Sequence, residues 1–246
     1  MTSFSSSEAR AVSMLATLYV VRMLGLFMVL PLIAIYSADL AGATPFLLGL
    51  AVGAYGLTQA SLQIPMGRLS DRIDRRHFIV LGLAMLVLGS VVAALSTSIW
   101  GVVLGRFLQG AGAIASATMA LVADYTRAEQ RAKASAIIGG SIAIAFGIAL
   151  VSGPALASFG GLQAVFAATA MLALLGMVVV AFLPKPQRFS REELSSGSGF
   201  QRSRLAQVLS IRSLNVMYLS IFFLHLTLMA VFVVVPTSLQ VEAGIA

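Results

Sequence analysis

The sequence has no cysteine, and its only histidines are His77 and His225, nearly 150 residues apart in a chain of 246. No disulfide framework or thiolate metal site can form, and a histidine-based metal site lacks its ligands. Charge is scarce as well: 10% of residues are charged, against about 25% in a soluble domain. The two lysines, Lys133 and Lys185, lie in polar stretches with no G-x-x-x-x-G-K-[ST] phosphate loop around either. Nucleotide-driven chemistry is therefore excluded, and no cofactor is called for. What fills the chain is apolar: 59% of residues are hydrophobic, and the mean hydropathy is +0.97. The solvent for such a surface is lipid. A crossing helix takes about 20 residues, so the length admits about seven of them.

Uninterrupted apolar stretches run at about 12–36, 45–67, 77–96, 99–123, 134–157, 163–183 and 214–236. The first is too long for a cleaved leader and reads as an uncleaved span. Fourteen of the 16 basic residues fall between these stretches, on one side of an alternating topology. They are Arg10; Arg68, Arg72, Arg75 and Arg76; Arg127, Arg131 and Lys133; and Lys185, Arg188, Arg191, Arg202, Arg204 and Arg212. The connections on the other side carry only Asp39. The positive-inside bias then puts the N-terminus in the cytoplasm and the end of the seventh span outside. The net charge of +7 is accounted for by topology, which removes the case for a nucleic-acid partner.

Residues 1–183 read as a six-helix bundle, 184–212 as a cytoplasmic linker and 213–246 as the first helix of a second bundle. The linker is rich in Ser, Gly and Arg, and Phe200, Leu205, Val208 and Leu209 suit one face of a short interfacial helix. Glycines recur within the spans, at Gly49, Gly53 and Gly56, at Gly105, Gly110 and Gly112, and at Gly139, Gly140 and Gly147. Such residues let helices approach closely in lipid, where no hydrophobic effect drives them together. An arginine in spans one and four (Arg22, Arg106) and a proline late in spans two and five (Pro65, Pro154) form a weak echo of a three-plus-three inverted repeat.

Between spans two and three stands Gly67-Arg68-Leu69-Ser70-Asp71-Arg72-Ile73-Asp74-Arg75-Arg76. It resembles the G-x-L-x-D-R-x-G-R-R signature of the major facilitator superfamily, with Asp74 in place of the usual glycine. In span four, Arg106-Phe107-Leu108-Gln109-Gly110-Ala111-Gly112-Ala113 is similar to that family's R-x-x-Q-G-x-G-A element. Gly140 followed by Gly153-Pro154 resembles the signature of its drug/proton antiporter branch, and Arg22 to Pro31 looks close to a YajR-like group of bacterial inner-membrane members. The resemblance implies an all-α integral membrane fold: the N-terminal six-helix bundle, with its 3+3 inverted repeat, plus the seventh helix of a twelve-helix transporter. The missing half would lie further along the same chain or in a second one. It also implies that Gly67, Asp71, Arg72, Arg75 and Arg76 clasp the two halves in one conformational state. Asp124 is a further partner for Arg72 or Arg75.

Charges at membrane depth must face the bundle interior and find acceptors. For Arg106 these are backbone carbonyls or Gln109, and the resemblance implies a part in substrate or proton coupling; Arg22 leans towards structure. No acid lies within the first six spans, so His225 is the group of near-neutral pKa inside a span. Tyr19, Tyr36, Tyr55, Gln59, Gln63 and Met119 are expected to line a cavity. The expected activity is proton-linked export of a small amphipathic solute across a bacterial inner membrane, with lipid, solute and protons as partners. The alternatives are a seven-helix sensor or a non-transporting structural subunit. A retinal pump is excluded, because neither lysine lies in the last helix.

Overall fold

The computed structural model describes residues 3–37, 40–184 and 210–243. Residues 185–209 of the linker, with the interfacial-helix expectation, and Asp39 lie outside the described residues. The chain divides into two compact units, 1–189 and 190–246. In the first, the helices are α1 (Ser6–Tyr36), α2 (Pro45–Arg72), α3 (Arg75–Ala94), α4 (Ile99–Ala111), α5 (Ala115–Tyr125) and α6 (Ala128–Ala181). In the second, α7 (Arg212–Ala243) is a single apolar helix. Among the described residues, six stretches are long and apolar enough to cross a membrane, counting α4 with α5 as one.

The six count α6 once: its 54 residues hold the fifth and sixth expected stretches as two helices that meet at a kink, so the seven expected stretches are all helical. Gly160 (φ −159°, ψ 27°) and Gly161 (φ 63°, ψ −160°) interrupt its helical geometry. The positive φ at Gly161 is the left-handed region that only glycine adopts at little cost. Two hydrophobic clusters show that the chain turns back there. One holds Ala11, Leu15, Leu83 and Leu121 with Ala134 and Ile138 from the first arm of α6 and Ala173 and Val180 from the second. The other holds Met28, Ile33, Leu47 and Ile99 with Ala149 and Ala157 from the first arm and Leu162 and Phe166 from the second. The arms therefore run in opposite directions between the two ends of the bundle.

The starts of α1 to α4 are capped as their sequence dictates, whereas Ile114 and Arg127 give α5 and α6 no side-chain cap. Ser5 and Glu8 form a reciprocal capping box on α1, and the side chains of Thr44 and Ser98 accept from the first turns of α2 and α4. Asp74 explains itself in the same way: at φ −58° and ψ 120° it is the N-cap of α3, its carboxylate accepting from the Arg76 amide at 2.8 Å. No left-handed residue is needed at that position, so the glycine of the related signature is dispensable here.

Glycine pairs set the crossing of α3 and α4. A Cβ on Gly89 would lie 2.4 Å from the Gly105 carbonyl oxygen, and one on Gly112 would lie 2.3 Å from that of Gly82. The helix of the fourth span breaks at Gly112, where α4 ends and α5 begins after Ile114.

Candidate functional site

At the end of the bundle where the cations lie, Arg75 at the start of α3 is the hub. Its guanidinium donates to Asp71 at 3.0 Å, to Asp124 at 2.5 Å and to the Ala120 carbonyl at 3.4 Å. The Arg75 and Asp124 side chains are 17% and 16% exposed, whereas Asp71 is 64% exposed. Of the two partners expected for Asp124, the structure selects Arg75; Arg72 is exposed at the end of α2. Arg76 departs from the expected cluster. It donates at 2.6 Å to the Tyr125 hydroxyl, which in turn donates to the Pro184 carbonyl. The motif thus fastens the exit of the sixth span as well as the end of the fourth. Gly67 packs beside Ser116, with 3.2 Å left between a Cβ there and the serine hydroxyl.

A second ionic contact escaped the sequence reading. Glu8, 2% exposed, accepts from both the backbone amide and the guanidinium of Arg127, each at 3.0 Å, while Arg127 also reaches the Ser3 carbonyl. The carboxylate holds the Arg127 guanidinium above its ordinary pKa. The signal was present, because Ser5-Ser6-Ser7-Glu8 ahead of an apolar run is a capping-box pattern. Only the fold brings Arg127 to it. Arg127→Ala strands a buried carboxylate, whereas Glu8→Gln leaves an arginine that water can reach. Arg127→Ala is therefore expected to lower the Tm of the full-length protein more than Glu8→Gln, with the double variant recovering part of the loss. A double variant less stable than both single variants would show that the pair is not coupled in this way.

Deeper in the bundle, Arg106 on α4 is fully buried. Its Nε donates to the Ala51 carbonyl at 3.3 Å, and Nη1 donates to Gln109 Oε1 at 2.9 Å. The Gln109 amide donates to Ser90 Oγ at 2.8 Å, and that hydroxyl donates to the Leu86 carbonyl. The guanidinium lies 4.8 Å from the ring centre of Tyr55, whose hydroxyl accepts from Arg22 Nη2 at 3.2 Å. The remaining motif residues pack: a Cβ on Gly110 would lie 2.3 Å from the Tyr55 carbonyl oxygen. The R-x-x-Q-G-x-G spacing places the two polar groups one helical turn apart and leaves glycines where neighbouring backbones press in.

Tyr55 joins the two arginines, and Tyr19 is buried with its hydroxyl donating to the Ala115 carbonyl. Tyr36 and Met119 are exposed, and Gln59 and Gln63 are half-buried. In the Gly-Pro element, Gly153 presses on the Met28 backbone, whereas a Cβ on Gly140 would meet nothing within 4 Å. Pro154 sits within the first arm of α6. In α7, His225 is exposed within its own unit and bonds to the Ile221 carbonyl at 2.9 Å. Among the described residues, no cluster of histidine and acidic side chains fits a metal.

An all-helical bundle with glycine-mediated crossings, a charged cluster at one end and buried arginines within it defines a polytopic membrane protein built to hold polar groups in lipid. Residues 15–246 match the family profile of the Major Facilitator Superfamily, and the chain belongs to that family of transporters, which are not enzymes. It is 47% identical to the inner membrane transport protein YajR of Escherichia coli over 237 residues, covering 96% of this chain and 52% of that protein. It is 29% identical to multidrug resistance protein 2 of Bacillus subtilis over 206 residues, 82% of this chain and 50% of that one. The fold superposes on a bacterial homolog of the human lysosomal transporter Spinster, in an inward-facing and unoccupied conformation. That match has a TM-score of 0.77 at 15% identity and covers 99% of this chain and 58% of the other. The chain thus spans about half the length of the curated relatives it matches.

Proposed function

We propose that this chain is the first half and seventh helix of a bacterial inner-membrane transporter that exports small amphipathic solutes by alternating access, coupled to protons. On this reading 1–183 is the first bundle, 184–212 a cytoplasmic linker and 213–246 the start of the second bundle. The observation that carries it is Arg106, fully buried and held by backbone and glutamine. A charge kept at that depth is costly, and such charges mark substrate or ion pathways in membrane proteins. The family and the names of the relatives, an inner membrane transport protein and a multidrug resistance protein, support the same reading.

The N-terminus is assigned to the cytoplasm. Residues 1–246 hold no cysteine, so single cysteines report sidedness directly. Thr97→Cys should react with an impermeant maleimide only from outside, and Ala128→Cys only from inside; the reverse pattern would invert the topology.

Coupling is assigned to His225 or to an acid of the second half, because no described acid lies at depth in the first bundle. The full-length protein in liposomes should move the amphipathic anion taurocholate saturably when a proton gradient is imposed. His225→Gln should flatten the pH dependence of that flux if His225 is the carrier. Gradient-independent flux, or loss of coupling in Arg106→Gln with His225 dispensable, would overturn the assignment.

A further inference from the structure

Arg22 and Arg106 share one tyrosine, and among the described residues no carboxylate pairs with either. Arg22 is 5% exposed and Arg106 is fully buried, and each keeps one guanidinium nitrogen, Nη1 of Arg22 and Nη2 of Arg106, buried without a hydrogen-bond partner. Tyr55 stands between them, its ring under Arg106 and its hydroxyl bonded to Arg22. Because that hydroxyl accepts from Arg22, its own proton is left to donate. The described ion pairs, by contrast, all involve Glu8, Asp71, Asp74 or Asp124 near the other cations, at the end of the bundle where α2, α5 and their connections meet.

Arginine does not relieve burial by losing its proton, so both side chains remain cationic in a medium where an unneutralised charge is expensive. The Tyr55 ring face and the carbonyl of Ala51 soften the cost for Arg106 without cancelling a charge. Water can occupy a donor but brings no negative charge. A guanidinium fork matches oxyanions in particular, donating paired N–H groups to a carboxylate or phosphate.

We propose that Arg22, Tyr55 and Arg106 form an anion-binding site within the first bundle. Its occupant is either the acidic group of the transported solute, a form of the proposal that rests on the transport reading above, or a free inorganic anion. The donors are Nη1 of Arg22, Nη2 of Arg106 and the Tyr55 hydroxyl. The site makes the preferred solutes amphipathic acids rather than lipophilic cations, which two buried guanidiniums would repel.

The test is equilibrium binding of radiolabelled benzoate, inorganic phosphate and chloride to the purified full-length protein in detergent, at constant ionic strength, with Tm measured on the same samples. At least one anion is expected to bind saturably at one site per protein. Arg22→Gln and Arg106→Gln should weaken that binding at least tenfold, and Tyr55→Phe, which changes shape least, about threefold. Arg22→Lys keeps the charge but loses the fork, so it should weaken benzoate and phosphate more than chloride. Binding of benzoate or phosphate identifies the site with a solute's acidic group, and binding of chloride alone identifies it with an inorganic anion. No saturable binding of any of the three to folded wild-type protein would overturn the site. Unchanged affinity in Arg22→Gln and Tyr55→Phe, with Tm retained, would overturn it equally. Because no membrane or gradient is involved, failure here leaves the transport reading standing, and failure of gradient-driven flux leaves a measured anion site standing.

Discussion

Replacing Gly89 by valine is expected to abolish folding of the bundle, and even Gly89→Ala should cost about 3 kcal/mol or more, at the upper end of what overpacking does. A Cβ at that position would lie 2.4 Å from the Gly105 carbonyl oxygen, 2.6 Å from the Gln109 amide nitrogen and 2.8 Å from Gln109 Cγ. Two of these are backbone atoms of α4, which move only if the whole helix moves. Displacing α4 from α3 would also separate Ser90 from Gln109 and remove the support of the buried Arg106 side chain. The contrast is Gly139→Ala, where a Cβ meets nothing within 4 Å. There the higher helix propensity of alanine should stabilise by about 0.5–1 kcal/mol. Thermal unfolding of detergent-purified protein, read beside the fraction that elutes as a single species, separates the two. A Gly89→Ala protein with the wild-type Tm would mean that α3 and α4 do not cross where the structure places them.

Much of this architecture is legible in the residues because lipid punishes ambiguity: apolar runs must be spans, and loop cations must take sides. The glycines of span four read as packing residues, and Gly105, Gly110 and Gly112 do meet neighbouring backbones, whereas at Gly49, Gly53, Gly56, Gly139, Gly140 and Gly147 a Cβ would meet nothing within 4 Å of it among the described residues. What was not legible depended on distance in sequence. The turn between spans five and six was legible, at Gly160-Gly161 where the apolar runs part; only its brevity, two non-helical residues, was not. Arg76 stands beside Arg75 in the motif, but because neighbours on a helix point apart, one reaches Asp124 and the other Tyr125. Glu8 and Arg127 are 119 residues apart and meet through the packing of α1 beside the turn into α6. Which way a tyrosine or glutamine of a span faces is not legible either, because it carries no mark of direction when the whole helix is apolar.

Asp71→Asn is expected to reduce transport by the full-length protein at least tenfold while leaving its abundance and Tm close to wild type. The carboxylate is 64% exposed and bonded to Arg75 across the α2–α3 connection, an arrangement worth under about 1 kcal/mol to the fold. Arg75 keeps Asp124 and the Ala120 carbonyl when Asp71 is neutralised, so the hub survives. Arg75→Ala is the less clean probe, since it strands the half-buried Asp124 and should lower both stability and transport. If the cluster clasps the second half in one state of the cycle, an isosteric loss of charge at Asp71 shifts the balance between states without touching the packing of either. The deciding measurement is therefore gradient-driven flux per folded molecule, in liposomes, for wild type against Asp71→Asn. The account predicts a drop of at least tenfold at equal incorporation and equal Tm. Equal flux per folded molecule would contradict it and reduce the motif to a solvated turn.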